Sequence, residues 1–255
     1  MNKKIGGKKR TAILIAVMLL VITGMGIFVY ISDYYHSVEG NEVYLESNEK
    51  VEVSEIKEGL FFDGTGTEKA LIFYPGGKVE YTAYAPIVNG LAENGIDCFL
   101  VKMPCNLAVF GVNKAEAIME RYGSYEEWYM AGHSLGGAMA ASYVANNLED
   151  FAGLTLLGAY TTESLIPEPN DKGEVNEDFW VNVIYGTEDY VMNGKKLSES
   201  YDLMPEKSNE NVLTGGNHAQ FGNYGIQKGD GTATMSKEEQ WQYTIDVILE
   251  HIAAE

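Results

Sequence analysis

The chain is poor in cysteine and histidine and, beyond its first ten residues, in positive charge. Its two cysteines are Cys98 and Cys105. Cys98 opens the apolar run Cys98-Phe99-Leu100-Val101, which reads as a strand, and Cys105 lies just past its end. Seven residues of near-extended chain span ~20 Å, whereas a disulfide needs Cα atoms ~6 Å apart. Two free thiols are therefore expected, Cys98 as a small core side chain and Cys105 with nothing nearby to mark it as a nucleophile. Four histidines leave few candidates for acid–base work, and no metal or cofactor is implied. Basic side chains number 18 against 37 acidic, a formal charge of −19. Five of the 18, Lys3, Lys4, Lys8, Lys9 and Arg10, precede residue 11, and no acid precedes Asp33. The remainder carries 13 basic and 37 acidic groups, a formal −24, which repels nucleic acid and anionic headgroups. Plain solubility accounts for that charge. Internal repeats and low-complexity runs are also absent.

Long hydrophobic character is present once, at Thr11 to Ile31, which holds no charged residue. As a helix these 21 residues would be about 31 Å long, enough to cross a hydrocarbon core. The basic cluster on the N-terminal side keeps that end in the cytoplasm. The chain beyond residue 31 is then expected outside, with Tyr30, Tyr34 and Tyr35 at the outer interface. A cleaved signal peptide is the rival reading. The run is longer than the usual apolar core of such peptides, and VYISDYYHS offers no small-residue cleavage site. The expected organisation is a cytoplasmic basic segment (1–10), a transmembrane anchor (11–31), a juxtamembrane stalk with an antiparallel strand or two (32–59) and one catalytic domain (60–255).

In the stalk, Val43-Tyr44-Leu45 and Val51-Glu52-Val53 show short alternation. Strands then alternate with helices: Leu60-Phe61-Phe62, Ala70 to Tyr74, a helix over Tyr81 to Glu93, a strand over Asp97 to Met103, a helix over Lys114 to Tyr122, Trp128 to Ala131, and a helix over Leu135 to Leu148. Leu154 to Leu157, Val181 to Tyr185 and Asn211 to Thr214 are further strands. Ser236 and Glu239 form a capping box for a last helix whose apolar stripe is Trp241, Ile245, Ile248, Leu249 and Ile252. Such alternation predicts an α/β fold, a mostly parallel twisted sheet with helices on both faces. The linker Thr161 to Asp178 sits where a lid would be inserted but is too short for a large one.

Gly132-His133-Ser134-Leu135-Gly136 joins a strand to a helix. G-x-S-x-G in that setting reads as a nucleophile elbow. The turn strains the serine backbone, and its glycine neighbours must lack Cβ or strand and helix would collide. A nucleophilic serine needs a base, and the base an orienting acid, in the chain order serine, acid, histidine. His36 lies beside the anchor, His251 on the final helix and His133 in the elbow. His218 follows the last strand in Gly215-Gly216-Asn217-His218 and is the expected base. Strand Val181 to Tyr185 ends in Gly186-Thr187-Glu188-Asp189. Asp189 is the expected acid, with Glu188 the fallback and Asp202 a weaker candidate. The oxyanion hole needs two backbone N–H groups. One is expected from Leu135 and the second from the loop Pro75-Gly76-Gly77-Lys78, at Gly77 or alternatively Lys78.

From about Leu60 onward the chain resembles the α/β-hydrolase superfamily. The resemblance rests on Phe73-Tyr74-Pro75-Gly76-Gly77-Lys78-Val79-Glu80, Gly132 to Gly137, and Gly216-Asn217-His218-Ala219-Gln220-Phe221-Gly222. Together these segments look like a bacterial subgroup close to dienelactone-hydrolase-like and small carboxylesterase-type proteins, often with an N-terminal anchor. Dienelactone hydrolases use a cysteine nucleophile where this elbow has Ser134, so their substrate is not carried over. Tyr74-Pro75 stands where many esterases have His-Gly. The resemblance implies a serine hydrolase of carboxylic esters, without cofactor, acting on a small-molecule or surface ester. An acyltransferase, thioesterase or peptidase would use the same triad, and a tethered binding module on an inactive fold is a third class. The loop Gly222 to Gly231 either shapes the pocket or routes the chain to the last helix. Oligomeric state is not legible.

Overall fold

In the computed structural model of the chain, residues 7–169, 173 and 175–253 are described. The chain divides into two compact units, Met1–Tyr34 and Tyr35–Glu255. The first holds one helix, α1 (Gly7–Ser32). It is long and apolar enough to span a membrane: the most apolar 18 residues within Lys8–Ser32 have a mean hydropathy of 2.8, and none of those is buried. The expected span 11–31 lies inside it, and residues 1–6 of the expected basic segment lie outside the described residues.

The second unit is built on an eight-stranded sheet. Its strands are β1 (Glu52–Ile56), β2 (Gly59–Asp63), β3 (Lys69–Tyr74), β4 (Asp97–Val101), β5 (Glu127–His133), β6 (Gly153–Leu157), β7 (Trp180–Gly186) and β8 (Ser208–Leu213). Their order is β1-β2-β4-β3-β5-β6-β7-β8. β1 and β2 run antiparallel and every pairing from β4 onward is parallel. The helices are α2 (Ala85–Glu93), α3 (Lys114–Arg121), α4 (Leu135–Ala145), α5 (Gly194–Ser200) and α6 (Lys237–Ala253).

Strand side chains alternate between faces, and both faces are buried. Leu71, Phe73, Cys98, Leu100, Tyr129 and Ala131 pack with Ile87, Val88 and Leu91 of α2 and Ile245, Ile248 and Ile252 of α6. Ala70, Ile72, Tyr74, Phe99 and Met130 pack with Ala115 and Ile118 of α3, Ala140, Ala141 and Val144 of α4, and Leu197 of α5. The unpatterned apolar runs of β3 and β4 are what a strand covered on both faces requires.

Several boundaries differ from the sequence reading for local reasons. The expected helix from Tyr81 begins as a 3-10 turn, Tyr81–Tyr84. It becomes α-helical at Ala85, where Pro86 in the first turn lacks an N–H that a helix start does not need. α4 stops at Ala145 because Asn146 and Asn147 fold their side-chain amides back onto the carbonyls of Ser142 and Tyr143, at 2.8 and 2.7 Å, in competition with the helix. Val43-Tyr44-Leu45 is not a strand; Glu42–Tyr44 forms a single 3-10 turn. The Tyr44 carbonyl there accepts a bond from Asn89 of α2 at 3.2 Å. Val51-Glu52-Val53 does lead into a strand, β1, on the sheet edge. Residues 35–59, expected as a stalk, thus belong to the compact unit.

Candidate functional site

The site collects at the ends of β3, β5, β6 and β7. β5 runs straight into α4 through Ser134, whose backbone holds φ 53° and ψ −122°, a conformation costing about 1–3 kcal/mol outside glycine. It persists because both sides pin it: the Ser134 N–H donates to the Leu157 carbonyl at 2.9 Å, and the Ser134 carbonyl accepts from Ala138 at 3.0 Å. A Cβ at Gly132 would lie 2.7 Å from the Gly136 carbonyl carbon, and one at Gly136 would collide with the Pro75 carbonyl oxygen. The glycines of the motif are thus required by contact. Leu135 opens α4, so its N–H is one of the unpaired donors of a helix start, and it engages no described carbonyl.

Asp189 and His218 come together, from turns following β7 and β8. Asp189 Oδ2 lies 2.8 Å from His218 Nδ1, and both side chains are buried, at 0% and 1% exposure. The other carboxylate oxygen, Oδ1, accepts from the N–H groups of Val191 and Met192 at 3.0 and 2.8 Å. An ionised carboxylate only accepts, so the proton on neutral His218 sits on Nδ1 and Nε2 presents a lone pair. That Nε2 is buried and unpartnered. No Ser134–His218 hydrogen bond is made, and such bonds commonly tighten only when substrate is bound. Gly158, at φ 51°, makes room for the pair: a Cβ there would lie 2.8 Å from His218 Nδ1 and 3.0 Å from Asp189 Oδ2. The fallback acid Glu188 instead bonds Thr187 and Tyr190 in the same turn, at 3.3 and 3.1 Å. Asp202 is exposed on a 3-10 turn, Tyr201–Leu203.

β3 leads into Pro75-Gly76-Gly77-Lys78. The Gly76 N–H donates to Tyr84 Oη at 3.0 Å, and the Lys78 N–H donates to the Asn106 carbonyl at 2.7 Å. Lys78 is therefore spent as an oxyanion donor, while the Gly77 N–H engages no described group. Gly77 lies against the elbow, with a Cβ there 2.8 Å from Leu135 Cδ2. Among the described residues, the non-glycine residues with positive φ are Lys78, Cys105, Asn106 and Ser134. They are the serine of the elbow, the loop after β3 and the turn whose Asn106 carbonyl accepts from that loop. Cys105 is exposed and unbridged, and Cys98 is buried in the sheet.

Sequence reasoning missed several contributors. His133 is buried, with Nδ1 2.8 Å from Tyr84 Oη and its ring centroid 4.4 Å from that of His218. Burial, with His218 nearby adding to it, pushes the His133 pKa well below the ordinary imidazole value. Asp230 steadies the His218 turn, accepting from Ala219 N–H at 2.8 Å. Tyr84 had no signal beyond that of a core aromatic on a helix face, and Gly158 and Asp230 lie outside any motif. In the linker Thr161 to Asp178, residues 170–172 and 174 lie outside the described residues. Leu165 is fully buried and its N–H donates to the Leu203 carbonyl at 2.7 Å. The loop Gly222 to Gly231 helps line a cavity of about 320 Å³ with Asn217, Gln220 and Lys237, a cavity that neither Ser134 nor Leu135 lines.

Known proteins share this architecture. The carboxylesterase CesB (YbfK) from Bacillus subtilis aligns at 9% identity and TM-score 0.55, over 84% of this chain and 95% of that one. Est1E from Butyrivibrio proteoclasticus aligns at 14% identity and TM-score 0.54, over 80% and 100%. TT1662 from Thermus thermophilus aligns at 12% identity and TM-score 0.57, over 81% and 100%. At these identities the likeness is one of fold. No curated protein sequence matches the chain. A profile of the alpha/beta hydrolase family matches residues 70–242, more than half of the chain and every site element from β3 to the His218 turn, and the chain belongs to that family.

Proposed function

We propose that this chain is a serine hydrolase of carboxylic esters, anchored to a cell membrane by residues 11–31 with its catalytic unit outside. The observation that carries the reading is the buried Asp189–His218 pair, with a free Nε2 on the histidine and the strained serine elbow alongside. Ser134 Oγ attacks the acyl carbon while His218 Nε2 takes its proton. Asp189 holds the proton on Nδ1 and stabilises the imidazolium. The carbonyl oxygen gains the charge and is held by the amides of Leu135 and Gly77. Collapse of the tetrahedral intermediate breaks the ester C–O bond, and His218 returns its proton to the departing alcohol. Water, deprotonated by the same Nε2, then attacks the acyl-serine, releasing the acid and restoring Ser134. A linker too short for a large lid favours small or surface-exposed esters.

Fluorophosphonate labelling and hydrolysis of p-nitrophenyl esters from acetate to octanoate test this directly. Ser134→Ala is expected to abolish labelling and to lower turnover by at least ~10⁴-fold. Retained ester turnover in that variant overturns the mechanism.

A further inference from the structure

Two buried polar side chains at the site have no part in the mechanism above. Tyr84 is fully buried and His133 is 1% exposed. Tyr84 Oη accepts the Gly76 N–H at 3.0 Å and lies 2.8 Å from His133 Nδ1. The phenol has one proton. Were His133 to donate from Nδ1, the oxygen would receive two donors and its own proton would be stranded in an apolar surround, which costs on the scale of a lost buried hydrogen bond. With the phenol donating to Nδ1, both of those atoms are satisfied and only the buried Nε2–H of His133 is left without a partner. That is one stranded proton, against a stranded phenol proton plus an unmet Nε2 lone pair. The phenol therefore donates to Nδ1, and neutral His133 carries its proton on Nε2. Protonating Nδ1 would reverse the bond and strand the phenol proton.

We propose that Tyr84 and His133 form a neutral positioning relay that holds the oxyanion arm in register with the general base. The proposal rests on the hydrolase reading of this site. At one end the relay ties down Gly76, whose neighbour Gly77 keeps its N–H free beside Leu135. At the other end His133 is bonded in sequence to Ser134, and its ring packs on His218 at 4.4 Å and on Phe221 at 5.6 Å. The titratable groups around it are Tyr84 from the turn before α2, His218 from the turn after β8 with Asp189 behind it, and Tyr224, whose ring lies 6.4 Å from that of Tyr84. Burial pushes both tyrosines up, so each keeps its proton. When His218 becomes a cation during turnover, the ring beside it is uncharged. A protonated His133 would repel that cation and set a second donor against the Tyr84 oxygen that holds Gly76.

The full chain in detergent micelles, with p-nitrophenyl butyrate and a fluorophosphonate, provides the test. Tyr84→Phe and His133→Phe are expected to lower kcat and the labelling rate by ~10- to 100-fold, the scale for a displaced oxyanion donor, with KM within about twofold. The double variant should be no slower than the slower single one, because both break one relay. His133→Asn, whose amide oxygen can stand where Nδ1 stands, should recover most of the loss. In ¹⁵N-histidine spectra, assigned by the peak lost in His133→Asn, the wild-type ring should be the Nε2–H tautomer and stay neutral below the pH at which an ordinary histidine charges. Wild-type kcat in Tyr84→Phe overturns the relay, as does an Nδ1–H tautomer or an ordinary titration of His133. So does an equal loss in His133→Asn and His133→Phe, the mark of mere packing. If wild-type Ser134 is not labelled while the tautomer is as expected, the hydrolase reading fails, and with it any catalytic role for the relay.

Discussion

Ser134 is held in a conformation its side chain disfavours, and His133, one residue earlier, is held neutral at pH values where water would protonate it. Both are maintained by neighbours: Leu157 and Ala138 for the serine backbone, and burial against Tyr84, Phe221 and His218 for the imidazole. The histidine has a measurable consequence for stability. Its folded pKa lies well below the ordinary 6.5, so below that pH the unfolded chain binds a proton that the folded chain refuses. Stability present above about pH 6.5 should therefore be lost as pH falls toward the folded pKa, with a slope approaching about 1.4 kcal/mol per pH unit for one proton. Chemical denaturation at intervals from pH 5 to pH 7 should show that slope, and His133→Phe should flatten it by up to one proton. An unchanged slope would mean that His133 is charged in the folded chain.

At the scale of elements, residues 35–41 connect the two arms of the site. Tyr35 forms a bridge beside Val79: its N–H donates to the Lys78 carbonyl and its carbonyl accepts from Glu80, both at 2.8 Å. Its hydroxyl accepts the Lys228 N–H at 3.1 Å, and the Val38 N–H donates to the Asn223 carbonyl at 2.9 Å. Buried Asn41 donates to the Thr82 carbonyl at 2.8 Å and accepts from Asn223 at 3.1 Å. One short segment thus laces the loop after β3 to the loop that follows His218. A chain beginning at residue 42 should be less stable than one beginning at residue 35 by about 2–4 kcal/mol, from lost main-chain bonds and a stranded Asn223 amide. It should also react more slowly with fluorophosphonate. Equal denaturation midpoints and equal labelling would show that the segment merely lies on the surface.

At the scale of the whole molecule, charge and hydropathy are separated along the chain. The apolar helix α1 follows a basic start, and the rest is strongly acidic. An acidic unit gains nothing from anionic headgroups, so membrane association should depend on α1 alone. The full chain is expected to stay with membranes through an alkaline carbonate wash, and residues 35–255 to remain in the supernatant. Added protease should digest the C-terminal unit from outside intact cells, in keeping with the positive-inside rule. Release of the full chain by carbonate would exclude an uncleaved anchor.

The alternation of apolar strands and amphipathic helices was legible in the residues because each strand must bury both faces and each helix one stripe. The elbow was legible because its glycines are forced by backbone contacts within a few residues, at Gly132 and Gly136. The capping box was equally local: the Ser236 N–H and hydroxyl both meet the Glu239 carboxylate at 2.8 Å. The order Ser134, Asp189, His218 could be read from strand ends, and the pairing of Asp189 with His218 accords with it. Partners brought in from a distance were not legible. Asn106 spends the Lys78 amide, so that Gly77 rather than Lys78 is left free. Tyr84 reaches His133 across 49 residues, and Tyr35 bridges to Val79 from a segment that reads as a stalk. Local pattern reports what a residue needs from its immediate neighbours. Which amide stays unpaired, which histidine stays neutral and which polar segment joins the core depend on the packing of the whole sheet.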